Sequence, residues 1–381
     1  MSTSTRSKCA AASKPRPQRR SGFTLIELLV VVAIIALLIS ILLPSLRSAQ
    51  EQARMVVCGN HMRLFGNGLA VYVNDNEDYL PGCNTSGVAL RSLKLMWGSR
   101  PDSLYRPDMP VQSFDWMTPI VCGEMELPAI RAERFKFLMS EFRCPSQRYT
   151  ATFYPGGYAD SPDKPELDEE VPFPAVSYLM PVHFQYVGQH QKGTVLGYMK
   201  QEDVSLLPVR ALAAPLSWET CTDDFLPRID RVGQPSRKIF VADGTRYLDS
   251  DSELLDIDPA PEPSWFGSFT TSGGWWSGST AYGVSGDSTN WDGAGVDRGS
   301  PGGGKNLALS YRHGAFDGVS DTFSGDAHDN KGRIESLFFD GHVQALTDRK
   351  SREVHYWYPT GTIVRNPGEG MTNVPRDFVI P

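Results

Sequence analysis

Apolar residues run almost without interruption from Phe23 to Leu43 and are followed by Pro44. A run of 21 residues is long enough to cross the hydrocarbon core of a bilayer as a helix. Beyond it, apolar residues recur at intervals of four and three positions, the spacing of one helical face. They are Cys58, Met62, Phe65, Leu69 and Tyr72. The pattern predicts that the amphipathic helix directly continues the membrane helix.

Turn-forming residues end the helical pattern at "NDNED", residues 74–78. We expect one helix from Thr24 to about Val73, which at 1.5 Å per residue is roughly 75 Å long. Pro44 removes the hydrogen bond to the Ser40 carbonyl, so the helix should bend there.

Two segments of the later chain have the composition of strands, namely "KIFVAD" at 238–243 and "SLFFDGHVQAL" at 336–346. The second predicts a hairpin that turns at Asp340-Gly341, with Gly341 at positive φ. Phe338 and Phe339 then point to opposite faces, and only one is expected in the core. The predicted fold is α+β, with a long N-terminal helix packed on an antiparallel β-sheet head that has long irregular loops.

Glycine and tryptophan are concentrated between residues 265 and 304. Twelve of these 40 residues are glycine, which favours a long irregular surface loop or a disordered segment. Four tryptophans lie in it: Trp265, Trp275, Trp276 and Trp291. They indicate either a surface that contacts carbohydrate or a partner, or rings folded back over the sheet.

Charge changes the picture at the N-terminus. Of 37 Lys and Arg residues, six lie in the first 22 positions, where no acid occurs; the other 31 face 44 acidic residues, a net charge of −13. Such an acidic chain is a poor partner for nucleic acid. Basic residues before an apolar span hold the N-terminus in the cytoplasm. The sequence therefore predicts a single-pass inner-membrane protein whose C-terminal head, after Pro44, lies outside that membrane in the periplasm.

A secretory signal peptide is the alternative for this N-terminus. Its apolar core would be only about 7–15 residues long and would precede a small-residue cleavage site. The small pair Ser48-Ala49 follows Arg47, which stands where a small residue is required. A spanning helix is the favoured interpretation.

The residues "SGFTLIELL" resemble the processing site of type IV prepilins and type II secretion pseudopilins. The resemblance implies cleavage between Gly22 and Phe23 and methylation of the new amine of Phe23. It also implies assembly roles for Glu27, the fifth residue of the mature chain, and Pro44, the twenty-second. The implied partners are a prepilin peptidase/methyltransferase, other pilin or pseudopilin subunits and the inner membrane.

The resemblance divides the chain into four parts. Residues 1–22 form the basic leader, 23–46 the transmembrane helix, 47–76 its amphipathic continuation and 77–381 the periplasmic head. An unpaired Glu27 would cost about 3 kcal/mol in hydrocarbon. After cleavage the amine of Phe23 lies one helical turn away, so the two charges can neutralise each other within one subunit or between neighbours.

The head is similar to a planctomycete-type group of pseudopilin-like proteins that carries a C-terminal His-x9-Asp-Gly signature. The matching segments are "CGNHMRLFGNGLAVYVNDNEDYLPG", "FRCPSQ", "VSYLMP", "QPSRKIFVADG", "YRHG" and "SLFFDGHVQAL". The signature is interrupted here, because 26 residues separate His313 from Asp340 and 11 separate His328 from Asp340. We interpret this as an insertion of about 17 residues.

Maturation leaves five cysteines, because Cys9 lies in the leader. The five are Cys58, Cys83, Cys122, Cys144 and Cys221, and none has CxxC spacing, so a zinc site is not predicted. A periplasmic head favours one or two disulfides. Cys58 is on the helical stripe and Cys144 is in "FRCPSQ", a segment shared with the resembled group. We therefore expect a bond between them, which closes a loop worth about 4 kcal/mol by chain entropy.

The histidines near the C-terminal signature are candidates for chemistry. His313, His328, Asp340 and His342 suit either metal binding or acid–base work, but a hydrogen-bonded structural turn at His313, Asp340, Gly341 and His342 is the preferred interpretation. The acidic segment "DSDSE" at 249–253 lacks the glycine and glutamate of an EF-hand loop. No nucleophile-elbow, zincin or phosphate-loop motif occurs. We predict no enzyme, no cofactor and no metal.

Three functions remain for experiment to separate. The first is a pseudopilin-like structural subunit that joins or initiates a type II secretion or type IV pilus-like filament. The second is a membrane-anchored binding module that displays the Trp/Gly-rich segment to polysaccharide or a secreted client. The third, least favoured, is a tethered metal-dependent enzyme.

Overall fold

The computed structural model divides the chain into two compact units, Met1–Arg47 and Ser48–Pro381. It describes residues 24–81, 111, 115–147, 150–153, 165, 171–185, 187–188, 195–200, 206–210, 224–244, 254–255, 295–297, 307–314, 332–351, 353–364 and 377–381. The leader, Gly22, Phe23 and His328 lie outside this part of the chain. The acidic segment "DSDSE" at 249–253 and the four tryptophans of 265–304 also lie outside it.

The described helices are α1 (Leu25–Asp75), α2 (Met117–Val121), α3 (Arg131–Glu141) and α4 (Asp348–Ser351), with short 3-10 turns at Val182–Phe184, Ile229–Arg231, Pro235–Arg237 and Val354–Tyr356. The strands are β1 (Thr150–Phe153), β2 (Phe173–Pro174), β3 (Tyr178–Leu179), β4 (Val195–Lys200), β5 (Leu206–Arg210), β6 (Ile239–Asp243), β7 (Leu254–Leu255), β8 (Gly295–Asp297), β9 (Leu307–Ser310), β10 (Arg333–Phe338), β11 (Val343–Thr347), β12 (Ile363–Val364) and β13 (Phe378–Val379).

The α+β class is confirmed, with α1 and an antiparallel four-stranded sheet as its main elements. The strand order in this sheet is β11-β10-β6-β3, and every neighbouring pair is antiparallel. Smaller sheets are β2-β1-β7, β4-β5, β12-β13 and β8-β9. The β1–β7 and β8–β9 pairs are parallel, which the sequence did not predict. Strand β8 also gives the Gly-rich segment one short piece of regular structure.

The predicted helical stripe forms one side of the core. Cys58, Met62, Phe65, Leu69 and Tyr72 are all buried, and α1 ends within two residues of the predicted position. The ring of Phe65 lies 4.9–5.5 Å from the rings of Trp116, Phe142 and Tyr178. Helix α1 runs through Pro44; the bend there remains a prediction.

Gly68 allows α2 to approach α1 closely. A Cβ at this position would lie 2.3 Å from the carbonyl oxygen of Ile120. Because that oxygen belongs to the backbone, it cannot move aside as the end of a side chain would. The contact explains why glycine occupies a helix interior, where it otherwise costs about 1 kcal/mol relative to alanine.

We expect Gly68→Ala to lower the free energy of unfolding by about 1–3 kcal/mol, as overpacking does elsewhere. Gly123→Ala is the matched control, since a Cβ there meets no atom within 4 Å. Urea unfolding of the two variants makes the comparison. Equal stability of the two would show that α2 does not pack against α1 as described.

The predicted hairpin is confirmed, whereas the prediction for its phenylalanines is wrong. Strands β10 and β11 pair from Arg333↔Thr347 to Leu337↔Val343, and Gly341 has φ +87°. Phe338 and Phe339 are both buried, at 1% and 6% exposure. Both faces are covered: Phe338 contacts Tyr356, and Phe339 contacts Phe184 and Phe240.

Candidate functional site

The first part of α1 is one continuous apolar surface. An 18-residue window of this helix has a mean hydropathy of 3.2, and none of the window is buried. Exposed apolar surface of this extent requires an apolar environment. By length and composition, α1 is therefore able to span a membrane.

Thr24 and Glu27 close the N-terminus of α1 with a reciprocal pair of hydrogen bonds. The backbone N–H and hydroxyl of Thr24 donate to Oε2 of Glu27 at 2.8 and 2.9 Å. The N–H of Glu27 donates back to Oγ1 of Thr24 at 3.3 Å. This is a capping box, whose Thr-x-x-Glu signal was present in the sequence and missed. Glu27 thus has a partner within its own chain besides the predicted amine of Phe23, which lies outside the described residues.

A second candidate group of side chains lies buried in the head. We call it the His313 cluster, consisting of Glu51, Asp243, His313, Glu335 and the disulfide Cys58–Cys144. Helix α1 supplies Glu51 and Cys58, which are two turns apart on one face. Asp243 ends β6, Glu335 lies within β10, and His313 follows β9. The cluster therefore joins the helix to the main sheet.

The imidazole of His313 is fully buried and contacts a carboxylate through each of its nitrogens. Nδ1 lies 3.0 Å from Oε1 of Glu51, and Nε2 lies 3.4 Å from Oδ2 of Asp243. Nε2 is also 3.5 Å from Sγ of Cys144. Glu51 is held in turn by the hydroxyl of Ser146 at 2.8 Å and by Arg54 at 3.3 Å.

The disulfide joins Cys58 of α1 to Cys144, the pairing that the sequence led us to expect. The two Cα atoms are 5.4 Å apart, and 86 positions separate the residues along the chain. Both cysteines are fully buried. The bond covalently attaches α1 to the segment that follows α3.

Charge pairing determines the ionisation of His313. Burial disfavours the imidazolium, but Asp243 and then Glu51 outweigh it and raise the pKa of His313 to about 9. The histidine is therefore charged at neutral pH. For Glu51, burial opposes ionisation, yet the hydrogen bonds from His313 and Ser146 leave its pKa below the ordinary value.

Glu335 is a further buried carboxyl group of the cluster. Burial and then the neighbouring Asp243 raise the pKa of Glu335 to about 7. Oδ2 of Asp243 accepts the backbone N–H of Glu335 at 2.8 Å. Oδ1 of Asp243 and Oε2 of Glu335 are buried without a hydrogen-bond partner among the described residues. The cluster therefore contains two buried oxygens that can still accept a hydrogen bond.

The structure does not bring His313 to the Asp340 turn, contrary to the prediction. His313 pairs by its backbone with Arg333, at the start of β10, whereas Asp340 lies beyond the end of that strand. Seven residues of extended chain separate the two by roughly 20 Å. Asp340 and His342 instead form an exposed pair at 2.6 Å on the hairpin turn.

Sequence reasoning missed Glu51, Asp243 and Glu335 as partners of His313. Glu51 carried a usable signal, because it extends the buried stripe by two helical turns from Cys58. Asp243 follows four apolar residues of β6 and is buried with them. Nothing in the local pattern marked Glu335.

Comparison with known proteins finds similarity in the N-terminal segment. Residues 17–43 match a family described as the prokaryotic N-terminal methylation motif. Over 62 residues the chain is 36% identical to type II secretion system core protein G of Pseudomonas aeruginosa, covering 16% of this chain and 44% of that protein. Over 74 residues it is 41% identical to the type IV wide pilus major component PilA4 of Thermus thermophilus, covering 19% and 53%.

These matches leave most of the head without a counterpart. The aligned part of the chain spans only about half of each relative. No solved structure matches at comparable significance. The similarity of the head to the group with the His-x9-Asp-Gly signature therefore rests on its sequence motifs alone.

Proposed function

We propose that this chain, whose N-terminal segment is prepilin- and pseudopilin-like, is a structural subunit of a type II secretion or type IV pilus-like filament. In this proposal a prepilin peptidase cleaves between Gly22 and Phe23, and Phe23 is then N-methylated. The mature chain joins or initiates the filament through α1. The role is structural and includes no catalytic step.

One observation carries the proposal, namely the match of residues 17–43 to the N-terminal methylation motif. The matched range contains the end of the basic leader, the Gly22-Phe23 bond, Glu27 and the apolar part of α1. The ability of α1 to span a membrane agrees with it. One relative is named as a core protein of a type II secretion system and the other as a component of a type IV pilus. These are the two kinds of assembly in the proposal.

The proposed orientation follows from the leader. Its six basic residues favour a cytoplasmic N-terminus and therefore a periplasmic head. The disulfide Cys58–Cys144 supports this side of the membrane, because structural disulfides persist in oxidising compartments. The large head favours a minor subunit, since it adds bulk to each filament position that it occupies.

Recovery of the chain in sheared filaments tests the proposal. The chain is co-expressed with a prepilin peptidase and the other subunits of a pilus or secretion system. The unchanged chain should appear in the filament fraction, whereas Gly22→Leu should remain in the membrane because a bulky side chain blocks cleavage. Gly22→Ala is the matched control with the smallest change. Equal recovery of Gly22→Leu would contradict processing-dependent assembly.

A further inference from the structure

The His313 cluster brings together a set of atoms that suits a metal ion. Sγ of Cys58, Sγ of Cys144 and a ring nitrogen of His313 all lie within 4.8 Å of one another, and all three residues are buried. In tetrahedral zinc sites, bond lengths of about 2.0–2.3 Å place neighbouring ligand atoms about 3.3–3.8 Å apart. Nε2 of His313 is 3.5 Å from Sγ of Cys144 and 3.4 Å from Oδ2 of Asp243. Both distances match that spacing.

We propose that reduction of the Cys58–Cys144 disulfide converts the His313 cluster into a zinc site, with Cys58, Cys144 and His313 as its protein ligands and a water molecule in the fourth position. Two thiolates, one imidazole and one water molecule are ligand types that Zn²⁺ accepts. The protein ligands come from α1, from the segment after α3 and from the segment after β9. Because the fold assembles them from distant parts of the chain, their sequence spacing has no CxxC signature.

The Asp243 carboxylate next to His313 is incompletely satisfied. Asp243 is fully buried, and its Oδ1 has no hydrogen-bond partner among the described residues. A buried polar atom without a partner is costly. A cation bound to His313 would supply this buried carboxylate with a counter-charge on the side of Oδ2, which lies 3.4 Å from Nε2 of His313.

Glu51 already provides the outer support that a zinc-binding histidine requires. Its Oε1 lies 3.0 Å from Nδ1 of His313, which leaves Nε2 to face Cys144 and Asp243. A carboxylate that accepts from the second ring nitrogen fixes the tautomer and ring orientation of a metal ligand. Ser146 and Arg54 hold Glu51 in this position.

The conversion consists of thiol–disulfide exchange followed by metal binding. A dithiol reductant gives two electrons and two protons to the Cys58–Cys144 bond and becomes a disulfide itself. Zn²⁺ then displaces one proton from each thiol and the proton on Nε2 of His313, and a water molecule takes the fourth position. Either form of the cluster attaches α1 to the head, by a covalent bond or by a metal ion.

Zinc uptake by the full chain in detergent tests the proposal. To exclude other thiols, Cys9, Cys83, Cys122 and Cys221 are changed to serine. After reduction under nitrogen, incubation with ZnCl₂ and desalting, this chain should retain about one zinc ion, and the unreduced chain none. Cobalt(II) should give thiolate-to-metal charge-transfer absorption only with the reduced chain. Adding Cys144→Ser or His313→Asn should lower zinc retention at least tenfold.

Thermal unfolding separates specific binding from a reduced chain that has lost its fold. Zinc should raise the melting temperature of the reduced chain and leave that of a Cys58→Ser, Cys144→Ser chain unchanged. Retention of no zinc, equal retention by the unreduced chain, or equal retention after His313→Asn would each overturn the proposal. So would zinc retention without a rise in melting temperature. None of these results bears on cleavage at Gly22, so a failure of the zinc proposal would leave the proposed function unchanged.

Discussion

Replacing Glu27 with leucine should abolish filament incorporation while leaving membrane insertion intact. The apolar run from Phe23 to Leu43 loses its only acidic residue, so it should enter the bilayer at least as well as before. The amine of Phe23 loses its neutralising partner, and breaking such a pair costs about 3–5 kcal/mol. Incorporation, measured in sheared filaments relative to the membrane fraction, should therefore fall by about a hundredfold or more.

The capping box calls for a second variant at the same position. Glutamine caps a helix as glutamate does, so Glu27→Gln keeps the bonds with Thr24 and removes only the charge. Charge pairing with Phe23 predicts that both variants fail to assemble. Ser40→Leu, which adds an apolar side chain elsewhere in the span, should assemble normally. If Glu27→Gln assembles like the unchanged chain, capping rather than charge explains the residue.

His313→Ala should lower the free energy of unfolding of the disulfide-bonded protein by about 3–5 kcal/mol, because it leaves buried carboxylates without their counter-charge. The carboxylates concerned are those of Glu51 and Asp243, which contact His313 at 3.0 and 3.4 Å. His342→Ala is the control, since the exposed pair with Asp340 should contribute less than about 1 kcal/mol. Urea unfolding of the full chain in detergent compares the two. Similar losses of unfolding free energy in the two variants would show that the His313 cluster does not stabilise the fold.

The cost of losing His313 should also depend on pH. Its pKa rises on folding from the ordinary 6.5 to about 9. Burial and the nearby Arg312 lower this pKa, but Asp243 and Glu51 raise it by more. The stabilisation is fully present below pH 6.5 and is lost as pH rises through 9. Unfolding at pH 6 should therefore separate the unchanged chain from His313→Ala more widely than unfolding at pH 9.5. A gap that widens at high pH would mean that His313 is not charged in the folded protein.

The sequence predicted those parts of the molecule that a local pattern specifies. The stripe from Cys58 to Tyr72 has helical spacing, so α1 and its buried face were predictable, and Asp340-Gly341 marked the hairpin turn. Glu51 and His313 are 262 positions apart, and no periodicity connects them. The burial of both Phe338 and Phe339 was not foreseen either, because it depends on Tyr356 covering the second face of the sheet.

The N-terminal mass of the chain recovered from membranes tests the central claim most directly. The account predicts a mature chain that begins at Phe23 and carries one methyl group on its amine. The same preparation from cells without a prepilin peptidase should retain the leader. A mature chain that begins at Met1 in the presence of the peptidase, or at Gln50 after cleavage beyond the apolar run, would contradict the pseudopilin-like account.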